Sequence, residues 1–388
     1  MSIDLTPQRK QILEAVQSLC DRFDDEYWRE KDRDHAAPVE FQRAMAEAGW
    51  LGIMMPEEYG GSGLSLTDAA LLMQTVGNSA GVLAACSTIH INIFAPHAIV
   101  VHGTAEQKQA ILPPLIQGKD ITCFAVTEPD AGLDTTHIST RATRTPDGYV
   151  INGRKMWIST AQRANKMMIL ARTTPIEECK KPTDGMSLFY TDLDRKYVEA
   201  REIRKHGRAA VDSNAVFVDN LPVPREHLIG EEGRGFHILL DALNPERILV
   251  AAEAVGIGMR AISKAAEYAK DRVVFGRPIG KNQGIAHPLA ESWMQLEAAD
   301  VMMWRAADLY DRGLPCGAEA NAAKFLAADA AYLACDRAVR THGGMGYAAE
   351  FDVERYLREI MVPRIAPVSR EMVLNYISEK VLGLPRSY

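Results

Sequence analysis

The chain has 388 residues, of which 47% are hydrophobic and 24% charged, and its formal net charge is −7. This length exceeds one ordinary hydrophobic core and predicts two or three globular domains. The acidic balance argues against nucleic acid as a partner, because a phosphate-binding surface needs clustered basic residues.

Targeting and metal-binding signals are missing from the sequence. The first residues lack a basic segment followed by an apolar one, so we predict no secretory signal and a cytoplasmic location. The cysteines are scattered without a Cys-x-x-Cys pair, which predicts free thiols and no zinc site. Residues 69–105 contain no Asp, Glu, Lys or Arg, but His, Asn and Pro interrupt the run. Such residues are costly in lipid, so we predict buried helices and no membrane span.

Residues 1–120 are predicted to form a helical domain. Apolar residues recur at helical spacing, for example at Ile12, Val16 and Leu19. Thr104 and Gln107 have the spacing of a capping box, which predicts a helix that ends near 118.

Residues 121–233 change to an apolar period of two. The turn Pro146-Asp147-Gly148 separates two short runs and indicates a hairpin. Turn signals at regular spacing predict a middle antiparallel β domain, either a small barrel or a sandwich. The predicted strands cover 139–145, 149–152, 155–159, 166–171, 186–190, 197–203 and 215–218.

Residues 234–388 return to a helical period. We predict long helices at about 236–271, 283–312, 317–341 and 368–382, joined by short connections. Four such helices predict a C-terminal antiparallel four-helix bundle.

One stretch joins the first two regions, from Cys123 to Asp134. It is a short apolar run that breaks into a polar turn containing Pro and Gly. A strand end of this kind can hold a polar ligand against an apolar wall. A surface turn after a strand explains these residues equally well on their own.

The order of these regions, with Thr127-Glu128-Pro129-x-Ala131-Gly132-x-Asp134 at the first junction, resembles the acyl-CoA dehydrogenase family over nearly the whole chain. Further motifs at family spacing are Pro56-Glu57-Glu58-Tyr59-Gly60-Gly61, Trp157-Ile158-Ser159, Gly233-Arg234-Gly235-Phe236, Glu246-Arg247, Arg272-x-x-Phe275-Gly276 and Gly343-Gly344-Met345-Gly346.

The resemblance implies a multidomain, mainly α fold and an FAD enzyme that converts an acyl-CoA thioester to a trans-2-enoyl-CoA. A carboxylate would take the α-proton while the β-hydrogen leaves as hydride to flavin N5. The resemblance also implies a homotetramer, an electron-transfer flavoprotein as acceptor, and a role in fatty acid or branched-chain acyl catabolism.

The resemblance assigns cofactor contacts residue by residue. Trp157 would cover the flavin ring, and Ser159 would offer a hydroxyl near N5. Taken singly, Trp157 could be ordinary core and Arg272 a surface ion-pairing residue. The implied flavin contacts are Phe124, Ala125, Val126, Thr127, Leu133, Trp157, Ile158, Ser159 and Ser369. The residues that would reach FAD from the adjacent subunit are Arg272, Phe275, Gln283, Arg340, Gly343 and Gly344. The implied substrate contacts are Leu133, Asn244 and Arg247.

The catalytic base is expected at Glu246. Most relatives carry a glutamate on a late loop, but Pro367 stands at that place here. A smaller group, resembling isovaleryl- and long-chain enzymes, carries it on the first bundle helix, where this chain has Glu246. Without the resemblance, Glu246 would be an ordinary helix residue paired with a Lys or Arg.

Two departures leave alternatives open. Pro367 lacks the N–H that the family uses to bind the thioester oxygen, and Leu133 replaces the usual Ser. An oxidase, a monooxygenase or a thioester lyase of the same fold, or a non-catalytic homologue, would fit these changes. Small residues at Ala84, Ala85 and Ser87 are expected to leave room for a bulky or branched acyl group.

Overall fold

The computed structural model describes residues 5–387. The N-terminal region is helical, as predicted. The Thr104 hydroxyl accepts the Gln107 N–H, and the Gln107 side chain accepts the Thr104 N–H, so the predicted capping box is present. The helices are α1 (Pro7–Cys20), α2 (Asp25–Arg33), α3 (Val39–Glu47), α4 (Leu66–Gly77), α5 (Val82–Phe94), α6 (His97–His102) and α7 (Ala105–Ile116).

The uncharged run forms interior helices. Val82–His102 is apolar and long enough to cross a membrane by length and composition, but 83% of its apolar 18-residue stretch is buried inside the fold. The run is also divided, because α5 ends at Phe94 and α6 begins at His97 after Pro96. The run is therefore buried in the manner of core helices, as predicted.

The middle region is one eight-stranded sheet in the order β6-β7-β3-β2-β4-β5-β8, with β1 beside β4. Two of its pairings, β1 with β4 and β2 with β4, are parallel, so the expected antiparallel set is mixed. The pairing path ends at β6 and β8, which do not pair with each other among the described strands, so strand pairing does not close a barrel. The strands are β1 (Thr122–Ala125), β2 (Arg141–Thr145), β3 (Gly148–Ser159), β4 (Lys166–Arg172), β5 (Met186–Asp192), β6 (Val198–Glu202), β7 (Ser213–Pro224) and β8 (Leu228–Ile229).

The C-terminal region contains three long helices that pack on one another. The chain passes from the first to the second through a small hairpin that the sequence pattern did not predict. Short helices follow the third. The elements are α8 (Gly235–Asp271), β9 (Val273–Val274), β10 (Arg277–Pro278), α9 (Gln283–Asp311), α10 (Gly317–His342), α11 (Val353–Glu359), α12 (Met361–Ile365) and α13 (Arg370–Tyr376), which continues as a π-helical turn over Ile377–Val381.

The two helical regions share a single core. Helix α4 lies against α8. A Cβ at Gly77 would lie 2.6 Å from the backbone carbonyl oxygen of Glu253, and a Cβ at Gly256 would lie 2.2 Å from that of Gln74. Glycine at both places lets the two helices approach closely. The face of α8 that carries Glu253 is thereby fixed toward α5 and the middle sheet.

Candidate active site

The main cavity lies where the three regions meet. It encloses about 490 Å³ and is lined by α5, by the segment after β1, by the end of β3, by α8 and by the segment after α12. A cleft between domains, with mostly apolar walls and a few polar groups, is the usual form of a cofactor or substrate site.

The segment after β1 is held by a buried ion pair. Glu128 accepts hydrogen bonds from the Ser139 N–H and hydroxyl and from the Thr140 N–H. The Lys155 ammonium lies 3.0 Å from Glu128 Oε1 and also donates to the Val126 carbonyl. Burial alone would raise the pKa of Glu128, but the Lys155 charge and these hydrogen bonds lower it to about 2. Glu128 therefore anchors the segment and leaves its neighbour Thr127 at the cavity wall.

A bulge at the end of β3 turns Trp157 into the cavity. The register between β3 and β7 shifts between Lys155 and Ile158, and Trp157 has φ +62°. Trp157 is 57% exposed, whereas the other residues of β3 apart from Arg154 are buried or half-buried. A bulge and a left-handed residue commonly re-aim a side chain at a functional site. The exposed indole is suited to cover a flat heterocycle such as a flavin.

The cavity brings together nine of the residues assigned from the family resemblance. They are Phe124, Val126, Thr127, Leu133, Trp157, Ile158, Ser159, Glu246 and Arg247. Three others lie close by without lining it. Ala125 packs in the core of the β domain, Asn244 accepts a hydrogen bond from Arg247, and Ser369 caps α13 beside the cavity residue Val368. The roles of all twelve remain predictions.

The remaining predicted cofactor residues lie on the protein surface. Phe275 is fully exposed with φ +52°, and the Arg340 side chain is also exposed. A Cβ added at Gly343 or Gly344 would have no atom of the described protomer within 4 Å. Arg272 and Gln283 are exposed as well. These groups are therefore accessible from outside the protomer, as the resemblance implies for a cofactor shared between subunits, although Arg340 also pairs with Asp336.

Glu246 is a carboxyl group without a partner. It lies on α8 and lines the cavity, and no described residue forms a hydrogen bond or ion pair with it. Burial raises the pKa of Glu246 to about 7, although the charges of His90 and Arg247 oppose the shift. A carboxyl group tuned near neutral pH and free of other bonds can act as a base.

A second carboxyl group on the same face of α8 is occupied. Glu253 stands two helical turns after Glu246, and its Oε1 lies 2.5 Å from His90 Nδ1 on α5. Burial would lower the pKa of His90, but the adjacent Glu253 charge outweighs it and raises that pKa. Glu253 therefore favours the charged form of His90, and its Oε1 is already engaged by the imidazole ring.

The acyl-pocket expectation needs correction at two of its three residues. Ala84 and Ala85 are buried and do not line the cavity, because α5 presents Leu83, Ser87, His90, Ile91 and Phe94 on that face. The Ala84 N–H instead donates to the buried Glu359. Only Ser87 borders the cavity as expected.

Sequence reasoning missed the charged groups of the cavity wall. His90, Glu253 and Arg208 all line it. The spacing of Glu246 and Glu253 on one helical face was a usable signal. His90 and Arg208 gave none, because their partners lie far away in the sequence.

Comparison with known proteins identifies the architecture. Models of the acyl-CoA dehydrogenase N-terminal, middle and C-terminal domains match residues 6–119, 123–221 and 233–382. An acyl-CoA dehydrogenase of Mycobacterium tuberculosis is 36% identical over 394 residues, which cover 98% of this chain and 97% of that protein.

Solved structures agree with this assignment. Butyryl-CoA dehydrogenase from Megasphaera elsdenii matches with a TM-score of 0.93 and 29% identity over 98% of this chain and 100% of that one. A glutaryl-coenzyme A dehydrogenase with glutaryl-CoA matches with a TM-score of 0.94 and 27% identity over 100% of this chain and 98% of that one. These relatives favour dehydrogenation over the oxidase, monooxygenase and lyase alternatives. The chain belongs to the acyl-CoA dehydrogenase family, and it is an FAD-dependent oxidoreductase that acts on the CH–CH group of an acyl-CoA thioester.

Proposed function

We propose that Glu246 is the base that removes the α-proton of the acyl-CoA thioester. The observation that carries this proposal is a cavity carboxyl group with no protein partner and a pKa raised to about 7. The two other carboxyl groups that line the cavity have partners, because Glu253 is bound to His90 and Asp134 to a neighbouring histidine. The place of the late-loop glutamate is taken by Pro367, which lines the same cavity and has no carboxylate.

The surrounding residues are suited to this reaction. Glu246 is half-buried among apolar residues of α5 and α8, and this reduced hydration raises its proton affinity. Trp157 and Thr127 form the opposite wall and would hold the isoalloxazine ring. When bound, FAD supplies the acceptor for the hydride that leaves the β-carbon. Pro367 offers no N–H to the thioester oxygen, so that donor is absent from this chain at position 367.

Anaerobic titration with a panel of CoA thioesters tests the reaction. We expect at least one thioester to bleach the bound flavin in a single turnover and to yield the corresponding trans-2-enoyl-CoA. Failure of every thioester to reduce the flavin would contradict the proposed function. Reoxidation of the reduced enzyme is then followed with air and with an electron-transfer flavoprotein. We propose that an electron-transfer flavoprotein is the electron acceptor, so we expect the flavoprotein to reoxidise the reduced enzyme rapidly and air to reoxidise it slowly.

His90 is expected to set the pH at which Glu246 works. The His90 charge lowers the pKa of Glu246, whereas Glu253 raises it. In His90→Gln the opposing cation is lost, so the acidic limb of the kcat/KM profile should move to higher pH by about one unit. The pH profile of His102→Gln, which breaks the exposed pair with Asp241 instead, should stay where it is. An unchanged profile in His90→Gln would show that the pair does not influence the base.

The surface of α9 and the adjoining hairpin supports the proposal of a homotetramer. Large apolar side chains are exposed there on the protomer, including Trp293, Met294, Val301 and Phe275. Exposed apolar surface of this kind is typical of a subunit interface. Light scattering coupled to size exclusion should give about four times the chain mass of 42.8 kDa.

We also propose a cytoplasmic location, which the unpaired state of all six cysteines supports.

Phe275 tests whether a neighbouring subunit completes the cofactor site. Because Phe275 is fully exposed on the protomer, Phe275→Ser should leave the fold of the individual chain unchanged by far-UV circular dichroism. It should weaken FAD retention by roughly 10-fold through loss of an aromatic contact. Val101→Ser, at another exposed apolar residue, is the matched control. Equal FAD affinity in both variants would remove Phe275 from the cofactor site.

A further inference from the structure

Arg208 places a guanidinium group at the cavity wall. The residue has φ +59° in the turn before β7, a conformation that non-glycine residues seldom adopt. Its side chain crosses from the middle domain to α5 and lines the cavity. Nη1 donates to Ser87 Oγ at 3.1 Å, and Nη2 donates to Ser159 Oγ at 3.1 Å and to Ser213 Oγ at 3.0 Å. The three hydroxyls fix the plane of the guanidinium.

The described residues leave this cation without an ion pair. A guanidinium has five N–H groups, and three of them go to the serines, so two remain without a protein acceptor; Nε is one of them. Burial lowers the pKa of Arg208, although the nearby charges of Glu359, Asp212 and Glu253 oppose the shift. An arginine keeps its charge in a protein even so.

Each nearby carboxylate forms its hydrogen bonds and ion pairs with residues other than Arg208, although Glu359 Oε1 accepts no hydrogen bond. Glu253 is paired with His90. Glu359 accepts the Ala84 N–H and faces Arg355, 3.8 Å away. Asp212 accepts hydrogen bonds from Gln162 and Asn214. The cavity wall therefore holds a guanidinium that makes no direct ion pair with a carboxylate among the described residues, although three carboxylates act on it from a distance.

A plain hydrocarbon acyl chain fits this wall poorly. Apart from Glu246 and the His90–Glu253 pair, much of the wall contributed by α5 and α8 is apolar, with Leu83, Ile91, Phe94 and Val250. A hydrocarbon chain would displace water from the guanidinium and give no acceptor in return. Buried donors left unpaired in this way discriminate strongly against a ligand that lacks the matching group. A carboxylate is the best match, because it brings both the charge and two planar acceptor oxygens.

We propose that Arg208 and Ser87 form a subsite for a carboxylate on the substrate's acyl chain. The preferred substrate would then be the CoA thioester of a short dicarboxylic acid. The length follows from Ser159, which the family resemblance puts near flavin N5 and hence near the β-carbon. Because Arg208 bonds to Ser159, the carboxylate would lie one or two carbons beyond the β-carbon. This inference rests on the proposed function of the same cavity.

Matched pairs of CoA thioesters test the subsite directly. Succinyl-CoA is compared with butyryl-CoA, glutaryl-CoA with pentanoyl-CoA, and adipyl-CoA with hexanoyl-CoA, so that each pair differs only in the terminal group. We expect succinyl-CoA or glutaryl-CoA to be favoured over its aliphatic partner by about 100-fold or more in kcat/KM, and adipyl-CoA to be favoured less. The Kd of the favoured dicarboxylic thioester, measured by titration calorimetry on the Glu246→Gln holoenzyme, which is expected to turn over slowly, should be lower than that of its aliphatic partner.

Variants of Arg208 separate a binding role from a structural one. Arg208→Gln should lower kcat/KM for the favoured dicarboxylic thioester by about 100-fold more than for its aliphatic partner. Arg208→Lys, which keeps the charge, should recover part of the loss. Arg201→Gln, at an exposed arginine paired with Glu199, should change neither. A purely structural Arg208 would lower both members of a pair alike and would overturn the proposal.

The possible results distinguish the two proposals. Preference for the aliphatic member in every pair would overturn the carboxylate subsite and leave the proposed function intact. Flavin reduction by no thioester at all would overturn both. A dicarboxylic preference that survives unchanged in Arg208→Gln would move the subsite away from Arg208 and so contradict the assignment.

Discussion

Replacement of Glu246 with glutamine is expected to lower kcat by about 10²- to 10⁴-fold, the range that a positioned general base contributes. Glutamine has nearly the same shape but cannot take a proton. The Kd of the thioester and the FAD content should stay close to those of the wild type, because no described residue bonds to Glu246. Single-turnover bleaching of the flavin under anaerobic conditions measures the chemical step without dependence on the electron acceptor.

The pH profile gives this prediction a second readout. Because the pKa of Glu246 is raised to about 7, the ionised base accumulates as the pH rises through 7. The kcat/KM of the wild type should therefore rise across that pH range, and the rise should be absent in Glu246→Gln. Glu359→Gln is the matched control, because burial also raises the pKa of Glu359 to about 7 but the residue does not line the cavity. The rise in kcat/KM should persist in this control variant. An undiminished rate in Glu246→Gln would end the assignment of the base.

The long helices were the most predictable part of the fold. The predicted ranges for α8, α9 and α10 agree with the structure within one residue at each end. Their apolar stripes are long and regular, so the pattern defines them without knowledge of the packing. The strands were harder, because β3 continues through Asn152-Gly153 as one strand, where we predicted two. There the pairing with β2 and β7 on either side overrides the local turn signal.

The cavity was predictable where a local motif carries it and unpredictable where distant residues meet. Thr127 and Trp157 were located from their own segments. His90 and Glu253 are 163 positions apart, and Ser87 and Arg208 are 121 apart. Such contacts depend on how α5, α8 and the middle sheet pack together. No pattern within a single segment reports that packing, so the charged part of the cavity emerged only from the structure.

Loss of the Glu128 carboxylate is expected to be the most destabilising single change near the site. Glu128→Ala leaves the Lys155 ammonium buried with the Val126 carbonyl as its remaining partner. Breaking a buried ion pair on one side costs about 3–5 kcal/mol of unfolding free energy. Urea unfolding followed by circular dichroism measures the loss. Flavin fluorescence measures the accompanying release of FAD, because the same ion pair holds Thr127 at the cavity wall.

Two further variants and the pH dependence isolate the ion pair as the cause. Glu128→Ala combined with Lys155→Met should recover much of the lost stability, because no buried charge then remains unpaired. Glu199→Ala, in an exposed pair with Arg201, should change stability by less than about 1 kcal/mol. The folded pKa of Glu128 is lowered to about 2, below its unfolded value of about 4.3. Its stabilisation is therefore complete above pH 4.3 and is lost as the pH falls toward 2. In the double variant this part of the acid dependence should disappear, and its persistence there would assign acid sensitivity to other carboxylates.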